Sequence, residues 1–337
     1  MSFKRLDPED FLVSIDSVTA TAWSTNNPVL LTFFTSSTTS SNDSYYKNVY
    51  QTASTATSAA VQFAIAYGNK EGSGSANYND LVPGATPTRT IYGQYRNLIY
   101  GDENAQFIFG TVTASDFWAI NIDRARYKEH LLKGTFNLKL TGSSGTIGAL
   151  VLTDNSGMVS TDTYLDCGRV YQIISGSNGT ANTSVNTSGF SPSSGSYGLF
   201  LPDISTIILN PLALSQSINL TPSRSNDSDG LNIQKLFIAI SSSGAASFQL
   251  NSEETTTSDY VFVRARNAEF NYSENPSFIS GSTGDVIYSN FINSPQTYMT
   301  TVGFYNDTNE LLAVAKLSKP LLKDFTKESL VRVKLDF

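Results

Sequence analysis

Apolar and polar residues alternate along most of this chain, and a period of two predicts β-strands with one face turned to a core. Short strand-like runs recur from residue 11 to the last residue and are separated by segments rich in Ser, Gly and Asn. The clearest sets on a single strand face are Val61, Phe63, Ile65 and Tyr67, then Trp118, Ile120 and Ile122, and then Phe136, Leu138 and Leu140. This spacing favours sandwich-like or barrel-like β-structure over a parallel α/β sheet.

Helical spacing occurs in a few places only. In the segment 87–100, Ile91, Tyr95, Leu98 and Ile99 recur as on one helix face, although Gly93 weakens this helix by roughly 1 kcal/mol. ARYKEHLLKG predicts a short helical turn that ends at Gly134, and NIQKLFIAI fits either a strand or the start of a short helix. We therefore expect a mainly β chain with few short helices.

The segment 259–337 reads as paired strands. TYMTTVGFY and ELLAVAKLSKP flank the turn formers Asn306 to Asn309, which predicts a β-hairpin. The final strand LVRVKLDF places four residues on each face. One face carries Leu330, Arg332, Lys334 and Asp336, and the other carries the apolar residues Val331, Val333, Leu335 and Phe337.

The length of 337 residues exceeds what one hydrophobic core usually supports, so several domains are expected. We predict an N-terminal β-rich domain over 1–134 and a central sandwich-like domain with long polar loops over 135–258. A C-terminal hairpin and terminal strand over 259–337 would serve assembly or docking. The low-complexity stretch 176–198 predicts a long exposed loop or an arm that neighbours order.

Charge and composition limit the partners. The net charge is -7 and only 15% of residues are charged, which leaves an unusually uncharged, hydroxyl-rich surface suited to packing against proteins. Phosphate neutralisation needs clustered Lys and Arg, so nucleic acid is not an expected partner. Residues 316–337 carry six basic and three acidic side chains, and an acidic body with a basic end could dock head to tail on another subunit.

The candidate chemistry is sparse. The chain has one cysteine, Cys167, and one histidine, His130. The sequence shows no nucleophile, phosphate-binding or zinc motif. We therefore expect no catalytic residues, no cofactor and no metal. His130 would cap or lie exposed, and Cys167 would be a small buried or turn residue. The acid pairs Asp102 with Glu103 and Glu253 with Glu254 leave a polysaccharide hydrolase as an alternative, although adjacent acids are usually solvated loop residues.

A sugar-binding alternative comes from the aromatic content of 17 Tyr, 20 Phe and 2 Trp among many Ser, Thr and Asn residues. Most of these aromatic residues occupy alternating strand positions and are read more simply as core.

No apolar run approaches the ~18 residues of a membrane helix, and the N-terminus lacks the apolar segment of a secretory leader. We expect a chain made in a cytoplasm that has no membrane partner.

Two blocks of the sequence stand out, VFVRARNAEFNYSENPSFISGSTGDVIY at 261–288 and PQTYMTTVGFYNDTNELLAVAKLSKPLLKDFTKESLVRVKLDF at 295–337. Both resemble virion structural proteins of contractile-tailed bacteriophages of the T4-like and cyanophage type. The opening FKRLDPEDFLVSIDSVTATAW is similar as well. The resemblance covers less than half of the chain and includes no catalytic signature.

The resemblance implies a tail or baseplate component, of wedge type, that is held in the virion by contacts with other structural proteins or with copies of itself. Its terminal strands would add to a neighbour's sheet edge. A receptor-binding or glycan-binding tail protein and a capsid or neck decoration protein remain alternatives. Because Arg and aromatic residues dominate interface hot spots, the candidate interface residues are Arg264, Arg266, Tyr305, Lys316, Arg332, Lys334 and Phe337.

Overall fold

The computed structural model describes residues 4–35, 46–74, 86–142, 150–183, 187–191, 193–224, 231–242, 247–273 and 275–336. The strands are β1 (Phe11–Thr21), β2 (Val29–Leu30), β3 (Lys47–Tyr50), β4 (Val61–Asn69), β5 (Phe107–Phe109), β6 (Val112–Ala114), β7 (Asp116–Ile122), β8 (His130–Leu131), β9 (Asn137–Leu140), β10 (Leu150–Asp154), β11 (Thr163–Leu165), β12 (Gly168–Ser177), β13 (Thr180–Ala181), β14 (Gly198–Leu201), β15 (Thr206–Leu209), β16 (Phe248–Gln249), β17 (Asn251–Ala265), β18 (Gln296–Tyr305), β19 (Leu311–Asp324) and β20 (Ser329–Asp336).

The helices are short and few among these residues. They are α1 (Thr88–Tyr100), α2 (Pro211–Ile218), α3 (Asn232–Ser241) and α4 (Ser289–Asn293), with 3-10 turns at Pro8–Asp10 and Arg124–Arg126. The fold is mainly β with large antiparallel sheets, which confirms the predicted fold class.

The chain forms two compact units. Unit 1 combines Met1–Ser17 with Thr255–Phe337, and unit 2 is Val18–Glu254. The end of unit 2 lies close to the domain boundary predicted after residue 258. The boundary predicted after residue 134 falls inside unit 2, where strands from both sides of it join one sheet.

Unit 2 is built on one large sheet. Its strand order is β2-β16-β9-β10-β12-β14-β15-β7-β4-β3, and β11 and β13 pair with β12 outside this path. The pairs β4 with β7, β7 with β15, and β15 with β14 are all antiparallel.

Strands β4 and β7 are buried on both faces. Trp118 and Ile120 of β7 lie in a large apolar cluster with Phe63 of β4, as the alternation predicted. The intervening residues of β7, including Phe117, lie in a second cluster with the buried face of α1. Because both faces are covered, this part of the sheet reads as a nearly continuous apolar strand.

Helix α1 occupies almost the predicted residues. Ile91, Tyr95 and Ile99 are buried as predicted, and Tyr92 joins them. Leu98, which was also assigned to this face, is exposed at 49%. The helix ends at Gly101, whose backbone is left-handed (φ 63) and whose N–H bonds the carbonyl of Asn97.

Three local expectations need correction or completion. The segment ending at Gly134 forms the 3-10 turn Arg124–Arg126 followed by strand β8, rather than a helical turn that reaches Gly134. NIQKLFIAI forms helix α3. Helix α2 was not predicted, although Asn210 caps it by accepting from the N–H of Leu212 at 3.0 Å and a Pro opens it.

The stretch 176–198, predicted as a long exposed loop or arm, is buried at its C-terminal end. Ser196 is fully buried, and the side-chain amide of Asn210 donates to the carbonyls of Ser194 and Ser196 at 2.8 and 2.7 Å. A buried loop needs partners for its backbone polar groups, and Asn210 supplies them here. Residues 184–186 and 192 lie outside the described residues.

Unit 1 contains a three-stranded path, β1-β17-β20, and the two-stranded sheet β18-β19. β17 and β20 pair antiparallel from Ser258 with Asp336 to Ala265 with Ser329. The predicted hairpin is confirmed, because β18 and β19 pair antiparallel around the turn at Asn306. The side-chain oxygen of Asn306 accepts from the N–H groups of Thr308 and Glu310 at 3.1 and 2.7 Å and so closes the turn. None of the described helices is long and apolar enough to cross a membrane.

Two glycines of unit 2 differ in the space around them: Gly198 lies in β14 of the sheet, and Gly93 lies in helix α1. A Cβ on Gly198 (φ 152) would collide with the backbone oxygen of Ile208, whereas a Cβ on Gly93 within α1 would meet nothing within 4 Å. We expect Gly198→Ala to lower the free energy of unfolding by at least ~2 kcal/mol. Gly93→Ala should raise it by roughly 0.5–1 kcal/mol, because alanine has the better helix propensity. Urea unfolding of both variants measures this, and equal effects of the same sign would contradict the packing described.

Candidate assembly interface

The predicted faces of the terminal strand are confirmed for its described residues, 330–336. Val331 and Val333 are buried at 8% and 7% exposure, whereas Leu330 is exposed at 60% and Arg332 and Lys334 are exposed with it. The register pairs Val333 with Val261 of β17 on the buried face. Strand alternation therefore sorts β20 into an apolar inner face and a largely charged outer face.

Three of the predicted interface residues come together on that outer face. The register sets Lys334 opposite Tyr260, Arg332 opposite Phe262, and Leu330 opposite Arg264. Directly opposite and diagonal positions on one face are within reach of long side chains. Arg264, Arg332 and Lys334 thus form a basic patch with the half-buried Tyr260 and Phe262, which we call the β17–β20 face.

The cations of this face are held by specific contacts. The guanidinium of Arg332 lies 5.5 Å from the ring centroid of Tyr260, and the ammonium of Lys334 lies 5.9 Å from it. Lys334 Nζ is 2.8 Å from Asp336 Oδ1, and that carboxylate also accepts from the Ser258 hydroxyl at 2.6 Å. The hydrogen bond to Asp336 raises the pKa of Lys334, and the same contact lowers the pKa of Asp336. Lys334 therefore stays charged at neutral pH.

The β18–β19 hairpin carries two further predicted residues. Lys316 lies opposite Thr301, Val314 opposite Gly303, and Tyr305 opposite Leu311. A Cβ on Gly303 would stand 3.0 Å from Tyr305 Cε2 and 3.5 Å from Leu311 Cδ1, so the missing side chain leaves room for the tyrosine ring. Tyr305, Leu311, Val314 and Lys316 are all exposed. One hairpin face is therefore mixed aliphatic, aromatic and basic.

A buried lysine anchors the base of the hairpin. Lys323 has no exposed surface, and its ammonium donates to Asn267 O at 3.1 Å, Asn271 Oδ1 at 2.8 Å and Asp324 O at 2.8 Å. Asn267 and Asn271 belong to the segment that follows β17. An ammonium has three donors, and all three are used here. Nothing in the local sequence indicates this role, because Lys323 lies in an ordinary run of alternating residues.

Of the remaining two predicted interface residues, Arg266 is described by the structure and Phe337 is not. Arg266 is exposed just beyond the end of β17, and its backbone N–H donates to Glu269 Oε2 at 2.9 Å. Phe337 lies outside the described residues.

The sequence reading missed strand β1 as part of this surface. Phe11, Leu12, Val13 and Ile15 are exposed at 50%, 55%, 62% and 70%, and β1 is an outer strand of the path β1-β17-β20. Apolar residues on both faces of FLVSI were a signal, since a strand covered on one face alternates with polar residues. The segment was instead assigned to an N-terminal domain.

The candidate catalytic acids do not converge as pairs. Glu253 lies 3.1 Å from His130 Nε2, while Glu254 lies 3.9 Å from Lys128 Nζ. Consecutive strand residues point to opposite faces, so these two carboxylates are directed apart. Asp102 accepts from the N–H of Asn104 at 2.8 Å in a turn, as solvated loop acids commonly do.

The two single-copy residues are placed inside unit 2. His130 is 9% exposed in β8 and contacts Glu253, so the expectation of an exposed or capping residue was wrong. The pairing of β8 with β17 places it there, directly opposite Glu253. Cys167 is half-buried, and burial raises the pKa of its thiol to about 11. Within the described residues, no group of three or more His, Cys, Asp or Glu side chains is placed to hold a metal ion.

The aromatic residues considered as a sugar platform are mostly core. Phe63, Trp118 and Phe136 have no exposed surface, and Phe262 and Phe304 are half-buried. A cleft of about 220 Å³ is lined in part by Gln94, Tyr95 and Asn121. Asn121 Nδ2 donates to Tyr95 Oη at 2.7 Å, and burial raises the pKa of Tyr95 to about 12. Small-molecule pockets usually exceed roughly 300 Å³, so this cleft is small for a glycan.

No family model matches this chain, and no curated protein and no solved structure matches it.

The anchoring role of Lys323 can be tested against a matched lysine on the same strand. Lys323→Met would leave Asn267 O and Asn271 Oδ1 without their charged donor, so we expect it to lower the free energy of unfolding of unit 1 by roughly 1.5–3 kcal/mol. Hydrogen exchange of the β18 amides should quicken in parallel. Lys319→Met, on an exposed position of β19, should change neither quantity. Unchanged exchange in Lys323→Met would contradict the anchor.

A second prediction concerns the ion pair of Arg169 and Asp203 in unit 2. Burial raises the pKa of Asp203, but hydrogen bonds from Arg169 Nε at 3.0 Å and its backbone N–H at 2.7 Å outweigh burial and hold that pKa below its usual value. A carboxyl with a lowered folded pKa stabilises above its unfolded pKa, and this stability is lost as pH falls through the folded pKa.

Asp203→Asn should therefore lower the free energy of unfolding by roughly 1.5–3 kcal/mol at pH 7. The deficit relative to wild type should begin to shrink as the pH falls below ~3.9, the unfolded pKa of Asp, and should vanish only below the lowered folded pKa. Urea unfolding across this range measures it, with Asp307→Asn in the exposed hairpin turn as the control. A deficit that does not change with pH would show that Asp203 is not linked to folding in this way.

Proposed function

We propose that this chain is a structural subunit of a tailed bacteriophage virion, in the tail or baseplate, and that it acts through contacts with other proteins. The proposal joins the resemblance of the segments 261–288 and 295–337 to the surface of unit 1. It assigns no catalytic residue, cofactor or metal to the chain. The site of action would be the virion, after synthesis in the host cytoplasm.

The observation that carries the proposal is the small core of unit 1. Among its described residues, the buried apolar side chains are Val261, Ala265, Val331 and Val333. Of the twenty-eight large apolar side chains exposed in the described part of the chain, seventeen belong to this unit. Apolar surface on this scale usually marks a protein interface. A unit with so little buried apolar area is also expected to gain stability from partners.

The charge distribution supports protein partners over nucleic acid. Basic residues of the β17–β20 face are accompanied by aromatic rings and by Asp336, and the whole chain has a net charge of -7. Arg with aromatic neighbours is a combination enriched at interface hot spots. Binding to a nucleic acid would need clustered Lys and Arg along a longer surface.

Cryo-electron microscopy of purified phage particles that contain this chain tests the proposal. We expect its density in the tail or baseplate, with the β17–β20 face or the β18–β19 hairpin buried against a neighbouring subunit. A variant with Arg332→Glu and Lys334→Glu should enter particles at a level reduced by at least about tenfold, since like-charge contacts in an interface cost several kcal/mol. The control is Arg124→Glu, in the 3-10 turn of unit 2.

Point substitutions are preferable here to removal of 330–337. β20 pairs with β17 over eight residue pairs and buries Val331 and Val333, so its deletion would also disturb the fold of unit 1. Absence of the chain from particles would contradict the proposal. A position at a distal tip with the terminal strands free would instead favour a receptor-binding or glycan-binding tail protein, and a position on the capsid or neck would favour a decoration protein.

A further inference from the structure

Both outer strands of the three-stranded path in unit 1 have a free edge among the described residues. The order is β1-β17-β20, so β1 and β20 each pair with β17 on one side only. An outer strand offers unpaired N–H and C=O groups to another chain, and proteins usually protect it with Pro, Lys, a bulge or a covering segment. β1 has the sequence FLVSIDSVTAT, without Pro, Gly or Lys.

Both faces of β1 carry exposed apolar side chains. Phe11, Val13 and Ile15 share one face by alternation, and Leu12 and Val18 lie on the other. All five are at least half exposed. A solvated strand of this composition is a site for pairing or aggregation unless a partner covers it.

Charge distinguishes the two edges. The segment 7–16 around β1 carries Asp7, Glu9, Asp10 and Asp16 with no basic residue. At the other edge, the exposed residues of β20 include Arg332 and Lys334, with Lys327 just before the strand, against the two acids Glu328 and Asp336. The edge of β1 is therefore acidic and apolar, and the edge of β20 is mainly basic.

Pairing between two copies of the same edge strand would bring like charges together. If two copies of β1 paired antiparallel about Val13, Asp10 of one copy would lie opposite Asp16 of the other. If two copies of β20 paired antiparallel about Val333, Arg332 would lie opposite Lys334. Like charges directly opposite each other destabilise a strand pair, whereas opposite charges stabilise it. At these registers the charges disfavour both symmetric pairings, whereas the acids of β1 and the cations of β20 attract each other.

The strand directions also permit this pairing. β20 is antiparallel to β17. β1 is antiparallel to β17 as well, because Asp16 O accepts from Thr256 Oγ1 while Ala20 O accepts from Ser252 Oγ. β1 and β20 therefore run in the same direction, and a neighbouring copy can continue the sheet by parallel pairing. The eight residues of β20 match the eight of the segment 11–18.

We propose that copies of this chain join head to tail by strand addition, with β1 of one copy paired to the free edge of β20 of the next. The inference rests on the proposed function in that both assign unit 1 to protein contacts, and it names the partner as a second copy of this chain. A heterologous contact of this kind builds a ring where the rotation closes and a filament where it does not.

Sedimentation velocity of the full chain at increasing concentration tests the proposal with two blocked variants. The β1 variant carries Val13→Lys and Ile15→Lys, and the β20 variant carries Arg332→Glu and Lys334→Glu. All four side chains are exposed, so both variants should fold, which circular dichroism checks. Leu31→Lys, at 63% exposure against 62% for Val13, is the matched control in unit 2.

We expect the wild type and Leu31→Lys to self-associate alike. Each blocked variant alone should dissociate at least about tenfold more readily. An equal mixture of the two should form a dimer that stops there, because only one intact β1 edge meets one intact β20 edge. A monomeric wild type would overturn the proposal, as would a mixture that fails to dimerise. A β20 variant that associates as tightly as the wild type would also overturn it, since that result indicates symmetric β1 pairing.

The outcome is separable from that of the proposed function. A chain that self-associates in this way and yet is missing from phage particles would refute the virion role and leave the head-to-tail contact standing. A chain that is monomeric by sedimentation and self-pairs nowhere in the particle, but occupies the baseplate, would refute the contact and leave the role.

Discussion

A β-strand presents side chains to two faces, and the two units of this chain differ in how many of those faces are covered. In unit 2, β4 and β7 are covered on both sides, by the cluster around Trp118 and by the cluster beneath α1. In unit 1, the side of β17 and β20 that carries Val261 and Val333 is buried, while β1 is exposed on both sides. Burial of apolar surface is the main stabilising contribution to folding, so this difference governs which unit is self-sufficient.

Strand alternation made much of this fold predictable. The period of two located β4, β7, β9 and β20 and identified one buried face of each, but not the second buried face of β4 and β7. Turn chemistry located the β18–β19 hairpin at Asn306. The failures were non-local. His130 is buried because β8 pairs with a strand more than one hundred residues away, and the loop before Gly198 is buried because Asn210 satisfies its carbonyls. The sequence around His130 does not predict the pairing with β17, and the sequence of the loop does not predict its hydrogen bonds to Asn210.

The candidate interface was predictable in part for the same reason. Alternation alone places Arg332 and Lys334 on one face of β20, but their proximity to Arg264 and Tyr260 depends on the register of β17 against β20. Lys323 illustrates the limit. Its neighbours in sequence mark it as one of several exposed lysines, and only the fold brings Asn267 and Asn271 within hydrogen-bonding distance of its ammonium. A buried ammonium is tolerated where every donor is satisfied.

The distribution of charge in unit 1 bears on specificity more than on affinity. Exposed ion pairs contribute little to binding energy, whereas the apolar side chains of β1 and the hairpin offer the area that an interface needs. Apolar strands alone would pair with any free edge, including their own copies in the wrong orientation. The acids around β1 and the cations of β20 raise the cost of those symmetric pairings. Affinity from the apolar residues and selectivity from the charges are thus separate properties of the same strands, which is the combination that the proposed head-to-tail contact requires.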